Sequence, residues 1–127
     1  MDLIKLKEYI KDRLENLSEL PVYDGKADEN ATFPYLCFHF PSSSFEFRNK
    51  KDRILEIDFW NDSNDDSGIL AAAEKVKSGN GEVIGLDGSY QTESEGFYRA
   101  NIEFEGEIQT QERNVSHFNQ RYLLEVR

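Results

Sequence analysis

Few residues of this chain have a type and spacing suited to covalent or metal chemistry, and each set lacks something that the chemistry needs. Cys37 and His39 lie two apart in an apolar run, so on a strand they share a face with Tyr35. A cysteine–histidine nucleophile also needs an orienting group and an oxyanion hole, and no local signature supplies either. The expected roles are a packed thiol and a hydrogen-bonded imidazole. One cysteine and two histidines cannot complete a zinc site without carboxylates. Asp62-x-Asn64-x-Asp66 has the alternating oxygen ligands that open a calcium loop. Ser67, however, stands where that loop needs glycine, and Ala73 where it needs a bidentate glutamate. A polar loop capping a helix is the expected structure there. Glu103, Glu105 and Glu107 form an i, i+2, i+4 row. Paired carboxylates do acid–base work only where a pocket separates their pKa values, so this row reads as a solvated strand face, shared with Glu56 and Asp58. No phosphate-binding glycine loop, Ser-His-Asp order or dinucleotide fingerprint appears. No catalytic residue, cofactor or metal is expected.

The elements that must position these groups follow from periodicity. Leu3, Leu6, Ile10, Leu14 and Leu17 recur at three- and four-residue steps among charged residues, which predicts an amphipathic helix of about four turns. Asp2 is its candidate N-cap and Pro21 ends it. Val22-Tyr23 is a short extended piece before the Asp24-Gly25 turn, and Lys26 to Thr32 a polar surface loop. Tyr35 to Phe40 predicts a strand apolar on both faces. Further along, Leu55, Ile57 and Phe59 alternate with Glu56, Asp58 and Trp60. A helix from near Ser67 buries Ile69, Leu70, Ala73 and Val76, and Gly79-Asn80-Gly81 terminates it. Val83 to Leu86 is a brief apolar run. Phe97 to Ile108 alternates with Tyr98, Ala100, Ile102, Phe104 and Ile108 inward, and the last strand repeats the pattern with Phe118, Tyr122, Leu124 and Val126. The implied fold is one α+β domain over residues 1–127. Its sheet is antiparallel or mixed, of about four to six strands, and is packed by two helices.

The totals narrow the partners. With 25 acidic against 15 basic residues the formal charge is −10, which opposes nucleic-acid binding and docking on anionic membranes. No apolar run approaches the roughly 20 residues that span a bilayer. The lone Cys37 permits no internal disulfide, and the charged start predicts a chain made in a cytoplasm. Four of the scarce basic residues, Arg48, Lys50, Lys51 and Arg53, cluster beside Phe45 and Phe47. They are candidates to answer the acidic face, within the chain or from a second copy.

Taken together, the leading helix, Val22-Tyr23-Asp24, Phe33-Pro34-Tyr35-Leu36, the charged hairpin, Leu55 to Trp60, the alanine-bearing helix and the closing strand pair resemble the tail-terminator, or tail-completion, family of long-tailed bacteriophages and prophages. The likeness spans nearly the whole chain. The acidic stretch Asn61 to Asp66 departs from it, where that family often carries small residues or arginine. The resemblance implies a structural protein of the virion tail or neck, assembled in the bacterial cytoplasm. It would form a homo-oligomeric, commonly hexameric ring that meets the tail tube protein and the head-completion connector. It further implies Phe45, Phe47, Arg48, Lys50, Lys51 and Arg53 as subunit contacts, and Glu103, Glu105 and Glu107 as an acidic row past which DNA moves without adhering. The competing expectation is a small acidic inhibitor that masks a basic partner.

Overall fold

A computed structural model describes residues 3–41, 45–47, 50–63, 65–93, 96–110 and 114–126. The expected N-cap Asp2 and the basic residue Arg48 lie outside them. Helix α1 (Leu3–Ser18) buries the predicted stripe at Leu6, Ile10, Leu14 and Leu17, while Leu3 at its start is exposed. It stops short of Pro21: Glu19 takes a left-handed φ of 58°, and the Ser18 hydroxyl donates to the Leu14 carbonyl at 2.7 Å and accepts the Leu20 N–H at 3.2 Å.

Among the described residues seven strands form one sheet: β1 (Val22–Asp24), β2 (Tyr35–His39), β3 (Phe45–Phe47), β4 (Lys50–Asn61), β5 (Tyr90–Glu93), β6 (Gly96–Ile108) and β7 (Ser116–Val126). The order is β1-β2-β4-β7-β6-β5, and β3 pairs with β4. Every pair is antiparallel except β1 with β2. Strand β4 is long enough to receive β2 along its second half and β3 along its first, both on the side away from β7.

Helix α2 (Ser67–Ser78) packs with α1 on one face of the sheet. Leu36, Phe38, Leu55, Ile57, Phe59, Tyr122 and Leu124 meet the two helix stripes there and are fully buried. Alternation puts their neighbours on the opposite face, which carries no helix among the described residues. No helix among the described residues is long and apolar enough to cross a membrane.

The apolar run Val83–Leu86 makes a single bridge between Gly79 and Ile84 and leaves Ile84 72% exposed. It is held by Arg13, an arginine on the buried side of α1, which donates to the Ile84 and Gly85 carbonyls at 2.8 and 3.1 Å. A departure from expectation is a bulge in β6 between Ile102 and Phe104. An extra residue shifts the phase of every later side chain, so Phe104 and Ile108, expected inward, stand 46% and 39% exposed.

Candidate functional site

The helix-free face is where the chemistry-bearing residues meet. Strand register lines them up in three rows: Tyr35, Trp60, His117 and Ile108; Cys37, Asp58, Asn119 and Gly106; His39, Glu56, Arg121 and Phe104. Across the middle runs one polar network. His117 Nε2 lies 2.7 Å from Asp58 Oδ1. The Asn119 amide donates to Asp58 Oδ1 at 2.8 Å and to Glu56 Oε1 at 3.2 Å. Arg121 Nε donates to Glu56 Oε1 at 3.1 Å, and His39 Nε2 stands 3.1 Å from Glu56 Oε2. Burial by itself would raise the Asp58 carboxyl. The hydrogen bonds from His117 and Asn119 and the charges of both histidines outweigh it and hold that group below its ordinary range.

Aromatic groups frame the network. Trp60 stacks on His117 with ring centres 3.8 Å apart and planes 14° from parallel. Phe33 stacks on Tyr35 at 5.1 Å, and Tyr23 meets Tyr35 edge-on at 5.7 Å. The Arg121 guanidinium lies 5.7 Å from the Phe104 ring centre. Rings, arginine and hydrogen-bonded polar groups on a sheet face have the composition of a contact surface, and the buried Asn119 Oδ1 finds no partner among the described residues.

The same geometry accounts for the candidate reactive groups. Cys37 shares its face with Tyr35 and His39 as expected, and sits across from Asp58. Burial pushes its thiol up; a hydrogen bond with the Ala27 backbone opposes this and the Asp58 charge reinforces it. A thiol kept protonated is a weak nucleophile. Among the described residues no three His, Cys, Asp or Glu side chains converge on a common metal position. In the Asp62–Asp66 loop the Asp65 carboxylate accepts the Ser67 N–H at 3.0 Å, so the loop caps α2 through Asp65, while Asp66 makes no side-chain cap bond. A cleft of about 410 Å³ between α1 and the 82–84 segment is lined by Tyr9, Asp12, Arg13, Asn16, Glu82, Val83 and Ile84. Its arginine is the one already committed to the Ile84 and Gly85 carbonyls.

The acidic row does not share a face with Glu56 and Asp58. After the bulge, Glu105 lies across from Gln120 and Glu107 across from Phe118, residues of the helix-bearing side. Glu105 pairs there with Lys77 of α2 at 2.6 Å. Glu107 hydrogen-bonds Asp66, and that bond and the neighbouring charge push its carboxyl up. All three glutamates are exposed. Of the basic cluster, Lys50 and Lys51 lie on the hairpin with Phe47 and Glu46 as cross-strand partners, Phe45 faces Asp52, and the half-buried Arg53 pairs with Leu124. Among the described side chains, Glu56 and Asp58 are answered by His39, His117, Asn119 and Arg121. The signal for those partners was the alternation His117, Asn119, Arg121, which matches Trp60, Asp58, Glu56 once the strands run antiparallel.

The arrangement defines an α+β domain whose distinctive surface is an open sheet face and its margins. No protein-family model and no curated protein matches the sequence. Solved structures do match the fold. One is a chain of the "Virion of native gene transfer agent (GTA) particle", with TM-score 0.66 and 15% identity, covering 93% of this chain and 90% of that one. A second solved structure has TM-score 0.66 and 11% identity, covering 100% of this chain and 96% of the other. At such identities the likeness is one of fold.

Proposed function

We propose that this chain is a structural protein of a phage-like particle, acting in its tail or neck as a ring that caps the tail tube, ends tube growth and joins the tail to the head connector. The observation that carries the reading is the end-to-end fold likeness to a chain of a gene transfer agent virion, at more than nine-tenths of this chain's length. The chemistry of the surface agrees. Histidines and carboxylates are engaged with one another, and Cys37 is held as a thiol, so the work is that of contact rather than of bond-making. A closed ring needs two different complementary surfaces on each copy. The Phe45–Arg53 hairpin, with Phe47, Arg48, Lys50 and Lys51, is the proposed donor of one. Glu105 and Glu107 add negative charge to the helix-bearing side, with Glu103 beside them at the bulge, and a ring turning this row to its bore would let DNA pass without adhering.

Electron microscopy of the purified protein mixed with tail tubes from the particle that encodes it tests the reading. Annuli seated on tube ends, with tube length no longer increasing, are expected. Tubes that grow unchanged and carry no cap overturn it, and a tight one-to-one complex with a basic soluble protein would favour the inhibitor role.

A further inference from the structure

We infer that Asn80 is a deamidation site guarded by the fold, and that its conversion releases, in one direction only, the clasp between α1 and the turn after α2.

Asn80 is the one asparagine of the chain that precedes a glycine. The Gly81 nitrogen is uncrowded: the residue stands exposed at φ 93°, and nothing lies within 4 Å of where a Cβ would be. In the reaction that nitrogen gives up its proton and bonds to Asn80 Cγ. The bond from Cγ to the side-chain nitrogen breaks, and ammonia leaves behind a cyclic imide. Water then adds to either imide carbonyl and opens the ring. The product is aspartate or, with an extra carbon in the main chain, isoaspartate. Water is the only co-reactant, and nothing is oxidised or reduced.

The fold holds Asn80 away from this course. Its Oδ1 accepts the Glu82 N–H at 3.0 Å and the Val83 N–H at 2.8 Å, and its amide donates to the Asn16 carbonyl of α1 at 3.0 Å. The Asn80 N–H also donates to the Val83 carbonyl at 3.2 Å. Swinging Cγ onto the Gly81 nitrogen breaks the side-chain bonds first, so the reaction starts from an opened state. Arg13 reinforces the closed state from α1, through the Ile84 and Gly85 carbonyls of the same segment.

The product cannot close the clasp again. A carboxylate carries no N–H, so the bond to the Asn16 carbonyl is lost, and two oxygens face each other where a donor met an acceptor. Isoaspartate also displaces the acceptor from the Glu82 and Val83 N–H groups, because the main chain between them has lengthened.

Peptide mapping by mass spectrometry tests this on the full chain, aged at mildly alkaline pH in the folded state and in unfolding urea. In urea Asn80 is expected to convert ahead of every other asparagine. In the folded chain it should convert at least about tenfold more slowly, and faster as urea rises short of the unfolding transition. In the aged chain the Glu82 and Val83 amides should exchange at least about tenfold faster. Asn80→Asp keeps the acceptor, removes the donor to Asn16, and should lower the urea midpoint. Equal rates in folded and unfolded chains overturn the guard, and earlier conversion at another asparagine overturns the choice of site. Unchanged exchange at Glu82 and Val83 after conversion, or an unchanged midpoint for Asn80→Asp, overturns the release.

Discussion

Replacing Gln120 tests whether sheet and helix are joined by a single buried relay. The Tyr122 hydroxyl donates to Gln120 Oε1 at 2.9 Å, and the Gln120 amide donates to the Ala73 carbonyl of α2 at 3.0 Å. Both side chains are fully buried. Burial also pushes the Tyr122 phenol far above its ordinary pKa, so it remains a donor throughout the accessible pH range. Leaving one buried partner unsatisfied costs about 1–3 kcal/mol, whereas removing both partners is close to neutral. Tyr122→Phe strands the Gln120 oxygen, and Gln120→Met strands the Tyr122 hydroxyl. Each single substitution should therefore destabilise by about 1–3 kcal/mol, and the double variant by less than their sum, keeping only the cost of the lost Gln120–Ala73 bond, about 0.5–1.5 kcal/mol. The cycle then gives a coupling of at least about 1 kcal/mol, with the second change repairing the first. Urea unfolding followed by circular dichroism measures it, since a domain of this size ordinarily unfolds in one step. Costs that add to within about 0.5 kcal/mol would refute the relay as an energetic unit.

Gly85→Ala is expected to lower stability by about 2–3 kcal/mol, read as the urea midpoint, because a Cβ there collides with the Lys77 carbonyl and displaces the segment that Arg13 holds. The acid limb is tested by Asp58→Asn. The folded pKa of Asp58 is lowered, so its stabilisation is complete above the ordinary value of 3.8 and is lost as pH falls through the folded one. Urea midpoints of native and variant chains should differ at pH 5 and converge in strong acid. Glu107→Gln has the opposite sign. Its folded pKa is raised by Asp66 above the ordinary 4.5, so the native carboxylate is a cost at neutral pH that fades as pH falls through the raised value. The variant should gain stability at pH 7 and none at pH 3.

What could be read from the chain divides along a physical line. Period alone located α1, α2, β4 and β7, because Leu6, Ile10, Leu14 and Leu17, or Leu55, Ile57 and Phe59, repeat at intervals that only one backbone geometry turns to a single side. Register was not legible. That His117 lies across from Trp60 depends on a cross-strand pairing fixed between residues almost sixty positions apart, and with it the whole network on the helix-free face. Arg13 was hidden for the same reason. An arginine in a buried helical position makes sense only with the Ile84 and Gly85 carbonyls beside it, more than seventy residues away.

The bulge is the sharper case. Ala100, Ile102, Phe104 and Ile108 keep one unbroken alternation, and a two-residue period gives no sign of an inserted residue. The consequence is a conflict between levels: the apolar pattern carries on as if it faced the core, while the backbone turns its second half to water. Burial energies of about 1.5–3 kcal/mol per large side chain make such a conflict costly to retain without compensation. Contact with another chain, as in the proposed ring, would supply that compensation. The exposed Phe104 and Ile108 would then belong to such a contact, and a polar substitution such as Phe104→Gln should weaken self-association without lowering the unfolding midpoint of the isolated chain. If instead it lowered the midpoint and left association alone, the exposed phase of β6 would belong to the fold and not to a partner.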